Sequence, residues 1–217
     1  MLRLSGFNTK AVSHGPVTDR LGVETGKPLA DTAAYVAAMR ANERFGGQLP
    51  PIYLATLRNK MLQLSTEISE GAIWANASLS HMSKQLSEVP NAVRDDFFLA
   101  NMIPTVIDDD VEAARAVNRR TLTGYVSLPN YRNYWRAAGY VEEMDAIEAA
   151  IEAGNKDILP SLMSDKWLDD NTISGSASHV RARFEEWAHA GVTPIAVMSS
   201  TTGGQVKAIN QLFDVYS

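Results

Sequence analysis

Two short apolar runs joined by one amphipathic helix constrain the fold of this chain most strongly. The stretch PIYLATLRNKMLQLSTEISEGAIWAN places apolar runs at residues 52–55 and 72–75. The residues between the runs that recur at helical spacing are Met61, Leu64, Ser65 and Ile68. A strand, a helix and a second strand in this order form a βαβ unit, in which the two strands pair in parallel. Ile52, Leu54, Leu64, Ile68, Ile73 and Trp74 are therefore predicted to be largely buried.

The turn between the first run and the helix is a candidate binding site. In parallel sheets, ligands bind at the carboxyl ends of the strands, and this turn lies at such an end. Its residues, called here the 56–60 turn, are Thr56, Leu57, Arg58, Asn59 and Lys60. A helix N-terminus offers free N–H groups to an anion, and two cationic side chains add to that attraction. Ordinary helix capping is the alternative explanation.

The rest of the chain continues the alternation of strands and helices. Further strands are predicted at residues 2–7, 97–107 and 194–198, with an irregular exit from the 97–107 strand near Pro104. Helices are predicted from Pro28, over residues 80–89, after Asp110 and after Ser178. Val180, Phe184 and Trp187 are expected to face a parallel sheet that contains the last strand. The pattern predicts an α/β fold.

The segment 125–170 is predicted to be a broken helical excursion that is rich in aromatic residues. Its aromatic side chains are Tyr125, Tyr131, Tyr134, Trp135, Tyr140 and Trp167. Such a set lines a ligand pocket or packs a core, and the sequence leaves both explanations open.

Composition excludes several classes of function. The 217 residues carry a net charge of -5 and include no cysteine, so thiol nucleophiles, disulfides and cysteine metal sites are excluded. The charge balance gives no reason to expect nucleic acid as a partner. No apolar run approaches the ~20 residues that a membrane span needs. The expectations are a single domain over residues 1–217, a cytoplasmic location, a small-molecule substrate and a possible homodimer.

Other candidate sites carry less chemistry. The turns at residues 174–178 and 199–204 could also hold an anion at a helix start. Asp108, Asp109 and Asp110 suit helix capping better than a metal site. No histidine is expected at a strand end beside a carboxylate, and His14 is the only one considered for a site.

Four segments in order resemble the luciferase-like monooxygenases, which include bacterial luciferase and the F420-dependent oxidoreductases. The segments are LGVETGKPLADTAAYVAAMR, PPIYLATLRNKMLQLSTEISEGAIW, FFLANMIPTVIDDDVEAARA and GSASHVRARFEEWAHAGVTPIAVM. The resemblance implies part of a (β/α)8 TIM barrel, running from about strand four to the end, with about five parallel strands and a helical insertion before the last strand. Strands one to three of the family barrel have no counterpart in the chain.

The resemblance also implies a function and a cofactor. Family members bind FMN or coenzyme F420, and part of their phosphate contact comes from the turn that corresponds to residues 56–60. Thr56 and Asn59 stand about where members place hydroxyl side chains, whereas Arg58 departs from the family's Gly-Pro and Ser-rich versions. The implied activity is that of a flavin- or F420-dependent oxidoreductase or monooxygenase. The alternative is a truncated relative that binds flavin or a partner without turnover.

Overall fold

The computed structural model describes residues 26–42 and 49–216. The chain divides into two compact units, one ending at Ile52 and one beginning at Tyr53. In the first unit, helix α1 (Pro28–Arg40) begins at the proline that the sequence indicated. The predicted strand at residues 2–7 and His14 lie outside the described residues.

The second unit contains a parallel sheet of five strands. The strands are β1 (Tyr53–Ala55), β2 (Gly71–Ala75), β3 (Phe98–Ile107), β4 (Ile173–Gly175) and β5 (Thr193–Ser199). β1 pairs with β2 and β2 with β3, while β4 and β5 both pair with β3. The α/β class and the parallel arrangement are thus as predicted.

Helices connect successive strands. They are α2 (Asn59–Ile68), α3 (Leu79–Leu86), α4 (Asn91–Arg94), α5 (Val111–Val126), α6 (Pro129–Ala137), α7 (Val141–Glu152), the 3-10 helix Lys156–Leu162, α8 (Asp165–Asn171), α9 (Ala177–His189) and α10 (Gln205–Val215). The described part of the chain includes no helix with the length and apolarity needed to cross a membrane.

Pro104 lies inside β3, and the expected irregular exit there is wrong. The backbone N–H of Phe98 donates to the carbonyl oxygen of Glu70, and that of Asp108 donates to the carbonyl oxygen of Gly175. The even-numbered residues of β3 therefore direct their backbone N–H groups toward the edge of β3 that pairs with β2 and β4. β2 pairs with β3 up to Met102, and β4 begins pairing at Thr105. Pro104 therefore falls in the gap between two partners, where the strand needs no N–H donor.

β4 is a strand that the sequence analysis did not predict. It has only three residues, all buried, and follows the helical excursion directly. Thr105 and Val106 pair with β5 on one edge and with β4 on the other. The helical excursion therefore precedes the last two strands, and not the last strand alone as expected. Four of the five described strands were predicted, and β4 is the fifth.

The two faces of the sheet differ in how far their side chains are exposed. Residues paired in register share a face, so Trp74 and Asn101 lie together on the buried face, beneath the helices. Tyr53 and Met102 lie on the opposite face and are 43% and 41% exposed. Strands of a barrel alternate between an inner and an outer face in the same way. The face that carries Tyr53 and Met102, called here the open face, is thus the less covered of the two at these positions.

The burial predicted for the βαβ unit is only partly correct. Trp74 is fully buried. The other five positions, which are only half-buried, are Ile52, Leu54, Leu64, Ile68 and Ile73. Ile73 faces the open side of the sheet, and β1 pairs with a single strand in the described part of the chain. Helix α2 buries Leu62 and Ser65, so its inner face is rotated from the predicted one.

Aromatic residues of the helical excursion pack in the core. Tyr131, Tyr134, Trp135, Tyr140 and Trp167 are buried members of one apolar cluster. The rings of Trp135 and Trp167 meet edge to face at 4.9 Å between centroids. Val180, Phe184 and Trp187 of α9 are also buried, and β5 runs parallel to β3, as predicted. Core packing thus accounts for most of the aromatic set.

Gly71→Ala is expected to destabilise the protein, whereas Gly124→Ala is expected to stabilise it. A Cβ at Gly71 would lie 2.5 Å from the backbone oxygen of Phe98, between aromatic rings of Tyr53 and Phe98 that pack at 4.9 Å. Overpacking of this kind costs roughly 1–3 kcal/mol. A Cβ at Gly124, inside α5, meets nothing within 4 Å, and alanine favours helix by about 1 kcal/mol. Urea denaturation of both variants measures the difference, and equal effects would contradict this account of β2.

Candidate functional site

The strands of the parallel sheet end at one edge, where the candidate residues gather. β1 leads into Thr56, β2 into Asn76, and β3 into Asp108. β4 and β5 lead into the 174–178 and 199–204 turns. Because the carboxyl ends of parallel strands share an edge, all three candidate anion turns lie along it.

The 56–60 turn starts a helix whose first amides are unsatisfied. Arg58 occupies the cap position of α2, with no side-chain capping bond and no acidic residue in the first turn. The backbone amides of Arg58, Asn59 and Lys60 donate no hydrogen bond within the described residues. The side chains of Arg58 and Lys60 are exposed, so the local charge is positive. Such a terminus favours an anion.

Thr56 occupies a different position from the rest of this turn. Its amide donates to the carbonyl of Ile73 at 2.9 Å, which extends the pairing of β1 with β2. Thr56 is only 5% exposed, and no partner within the described chain is recorded for its hydroxyl. The exposed residues of the turn are therefore Arg58 and Lys60.

The 174–178 turn is already capped by its own side chains. Ser176 Oγ accepts a hydrogen bond from the amide of His179, at the start of α9. Ser174 Oγ accepts from Asn118 Nδ2 at 2.9 Å. The turn thus supplies its own acceptors, as the capping alternative requires.

The 199–204 turn is satisfied internally at two of its amides, although α10 begins after Gly204 without a side-chain cap. Ser200 Oγ accepts from the amides of Thr202 and Gly203, and Lys207 Nζ donates to Thr202 Oγ1 at 2.7 Å. Thr201 donates its hydroxyl hydrogen to the carboxylate of Asp108. This bond, together with one from the Asp110 amide, lowers the pKa of Asp108. A carboxylate that stays ionised beside the turn disfavours a second anion there.

A buried chain of hydrogen bonds connects the 56–60 turn with the helical excursion. The amide of Ser78 donates to the hydroxyl of Tyr134 at 3.0 Å, and that hydroxyl bonds to Gln85 Oε1 at 3.1 Å. Gln85 Nε2 donates to the carbonyl of Leu57 at 2.9 Å. Burial raises the pKa of Tyr134, so its phenol remains a proton donor. The sequence analysis missed Gln85 and Tyr134 as site residues, because these contacts join positions far apart in the chain.

His81 contradicts the expectation that no histidine would lie at a strand end near a carboxylate. It sits in α3, just after the carboxyl end of β2, with its ring edge to face against Tyr134 at 5.7 Å. Burial lowers the pKa of His81 and Lys84 lowers it further, while the nearby carboxylate of Asp170 raises it. His81 is therefore biased toward its neutral form.

Comparison with known proteins identifies the family. The family model described as luciferase-like monooxygenase matches residues 13–194. The chain belongs to the luciferase-like monooxygenase family. No curated protein sequence matches it.

Solved structures support the same fold. The coenzyme F420-dependent tetrahydromethanopterin reductase of Methanopyrus kandleri has a TM-score of 0.60 and 20% identity, covering 75% of this chain and 48% of that one. An F420-dependent secondary alcohol dehydrogenase, in complex with an F420–acetone adduct, has a TM-score of 0.64 and 14% identity over 95% of this chain and 63% of that one. The EDTA monooxygenase of Chelativorans sp. BNC1 has a TM-score of 0.50 and 11% identity, covering 94% and 63%.

These matches place the sheet within the luciferase-like TIM-barrel fold. The described strands form an open sheet and do not close a barrel. The chain spans 48% and 63% of the lengths of the two F420-dependent enzymes. The family assignment and the partial-barrel fold are thus confirmed, while the cofactor and the site residues stay predictions.

Proposed function

We propose that this chain binds the phosphate of FMN or of coenzyme F420 at the 56–60 turn, as part of a luciferase-like oxidoreductase. The observation that carries the proposal is the contrast among the three turns. Within residues 26–42 and 49–216, only the 56–60 turn, of the three, combines unpaired amides with two exposed cationic side chains that form no ion pair. That combination is suited to a phosphate.

The residues of the 56–60 turn suit the binding role that a protein has in a cofactor-dependent enzyme. A bound flavin or deazaflavin supplies the hydride or oxygen chemistry, and the protein supplies binding, orientation and electrostatics. The amides of Arg58, Asn59 and Lys60 hold the phosphate, with Arg58 and Lys60 neutralising its charge. The family assignment and the two F420-dependent structural neighbours support this class of cofactor.

A second candidate function, flavin binding without turnover, is favoured by the fraction of its structural neighbours' length that this chain spans. The chain spans 63% or less of the length of these structural neighbours, which supports a relative that binds a flavin without turnover as the alternative. Binding and turnover are separate measurements. Hydride transfer from reduced cofactor to a carbonyl or imine acceptor distinguishes the enzyme from the non-catalytic relative.

Titration with FMN and then with F420 tests the binding proposal. Wild-type protein is expected to quench the fluorescence of one of the two with a dissociation constant in the micromolar range, about -8 kcal/mol for a mononucleotide site. Added salt should weaken the interaction because the phosphate contact is partly exposed. If neither cofactor binds at high micromolar concentration, the flavoprotein proposal is wrong for this chain.

A further inference from the structure

Gln85 is held in one orientation by partners at both ends of its side-chain amide. The Ser78 amide can only donate, so the Tyr134 oxygen accepts from it and the phenol hydrogen is left for Gln85 Oε1. The Gln85 NH2 group therefore faces Leu57 and donates to its carbonyl oxygen. Gln85 and Tyr134 are each 1% exposed, so water does not compete for the two bonds of the Tyr134 hydroxyl, while the bond to Leu57 is partly buried.

The bond to Leu57 also fixes the direction of the next amide. Carbonyl and N–H groups of one trans peptide point in opposite directions, so a fixed Leu57 carbonyl turns the Arg58 N–H away from Gln85. The Arg58 amide is the first of the three unpaired amides in the 56–60 turn. A Leu57 carbonyl free to rotate could instead bring its partial negative charge to that side of the turn.

We propose that Gln85 is the positioning residue of the 56–60 turn and that Tyr134 keeps Gln85 in its donating orientation. The proposal rests on the proposed function because it takes the 56–60 turn as the anion site. It adds that a hydrogen bond from Gln85 fixes the backbone conformation of that turn. Gln85 does not touch the ligand. Gln85 acts through the Leu57–Arg58 peptide. Tyr134, which belongs to the helical excursion, stabilises the site indirectly through its bond to Gln85.

Gln85→Met tests this role, since methionine keeps the length of the side chain and removes both amide bonds. We expect the dissociation constant for FMN to rise about five- to tenfold, the usual effect of losing one oriented hydrogen bond. Riboflavin, which lacks the phosphate, should change by less than about twofold because a local change at the turn leaves ring binding intact. Gln63→Met, at an exposed glutamine of α2 bonded to Glu88, is the matched control.

Amide NMR separates this proposal from the cofactor proposal. In the free protein, Gln85→Met should shift the 15N–1H signals of Arg58, Asn59 and Lys60, whereas Gln63→Met, one turn along α2, should leave the Arg58 signal unchanged. Such shifts support the positioning role even if wild-type protein binds neither FMN nor F420, a result that overturns only the proposed function. Unchanged turn signals, or equal losses of FMN and riboflavin affinity, would overturn the role of Gln85.

Tyr134→Phe gives the same test should Gln85→Met fail to fold. Phenylalanine keeps the buried ring and removes the hydroxyl that orients Gln85. The turn amides should shift in the same direction by a smaller amount, with FMN weakened more than riboflavin. Turn signals identical to those of the wild type would contradict the part assigned to Tyr134.

Discussion

Trp135→Ala is expected to lower the free energy of unfolding by about 3–5 kcal/mol, the range for removing a large buried aromatic side chain. Trp135 has no exposed surface and packs edge to face on Trp167. Its Nε1 donates to Asn171 Oδ1 at 2.8 Å and to the Asn76 carbonyl at 3.2 Å. The substitution thus leaves a cavity, and the Asn76 carbonyl and Asn171 Oδ1 each lose one hydrogen-bond donor.

Trp135→Phe is the matched control. It keeps an aromatic ring and removes the indole N–H, so the expected loss is about 1–2 kcal/mol. Guanidinium denaturation followed by far-UV circular dichroism measures both variants. Because domains of this size have a total stability of only about 5–15 kcal/mol, the alanine variant should unfold at visibly lower denaturant concentration. A loss below about 1 kcal/mol for Trp135→Ala would show that this cluster is not central to the core.

Thr56→Ala combined with Arg58→Glu is expected to weaken FMN or F420 binding by roughly 2–4 kcal/mol at low salt. The double variant removes the hydroxyl that begins the turn and reverses the charge nearest the unpaired amides. Because Arg58 is exposed, the difference from wild type should shrink as ionic strength rises. Fluorescence quenching at two salt concentrations measures both effects.

Arg120→Glu supplies the control for this charge change. Arg120 is an exposed residue of α5, remote in sequence from the turn, and the same reversal there alters the net charge equally. It should leave cofactor affinity unchanged within about twofold, since Arg120 is not part of the turn and the field of an exposed charge is screened by salt. Equal binding by wild type and the double variant would contradict the placement of the phosphate at the 56–60 turn.

The local features of the fold could be predicted from the sequence, and the long-range features could not. The strand at β3 and the buried face of α9 follow from short apolar patterns that survive in the structure. The three-residue β4 carries no periodicity of its own and is recognisable only beside Thr105 and Val106. On the inner face of α2, Ser65 is buried as predicted, but Leu62 is buried in place of the larger Met61.

The site shows the same division. The 56–60 turn was found because a strand end and a helix start adjoin in the sequence. Its support was not found, since Gln85 lies 28 positions from Leu57 and Tyr134 lies 49 positions from Gln85. Glutamine and tyrosine at those positions fit an ordinary helix equally well. Only the fold shows that their polar groups meet.

The pairing of β3 with β5 has a consequence for how the chain reaches this fold. β1, β2 and β3 follow one another closely, whereas Ala100 and Thr193, which pair across β3 and β5, are about 90 residues apart. Closing so long a loop costs entropy before the strands gain any contact, so this pairing should form late and slowly. Until then one edge of β3 is bare, and a nascent chain with an open strand edge is prone to join another copy. The helical excursion, by folding locally, shortens the effective distance that this last step has to close.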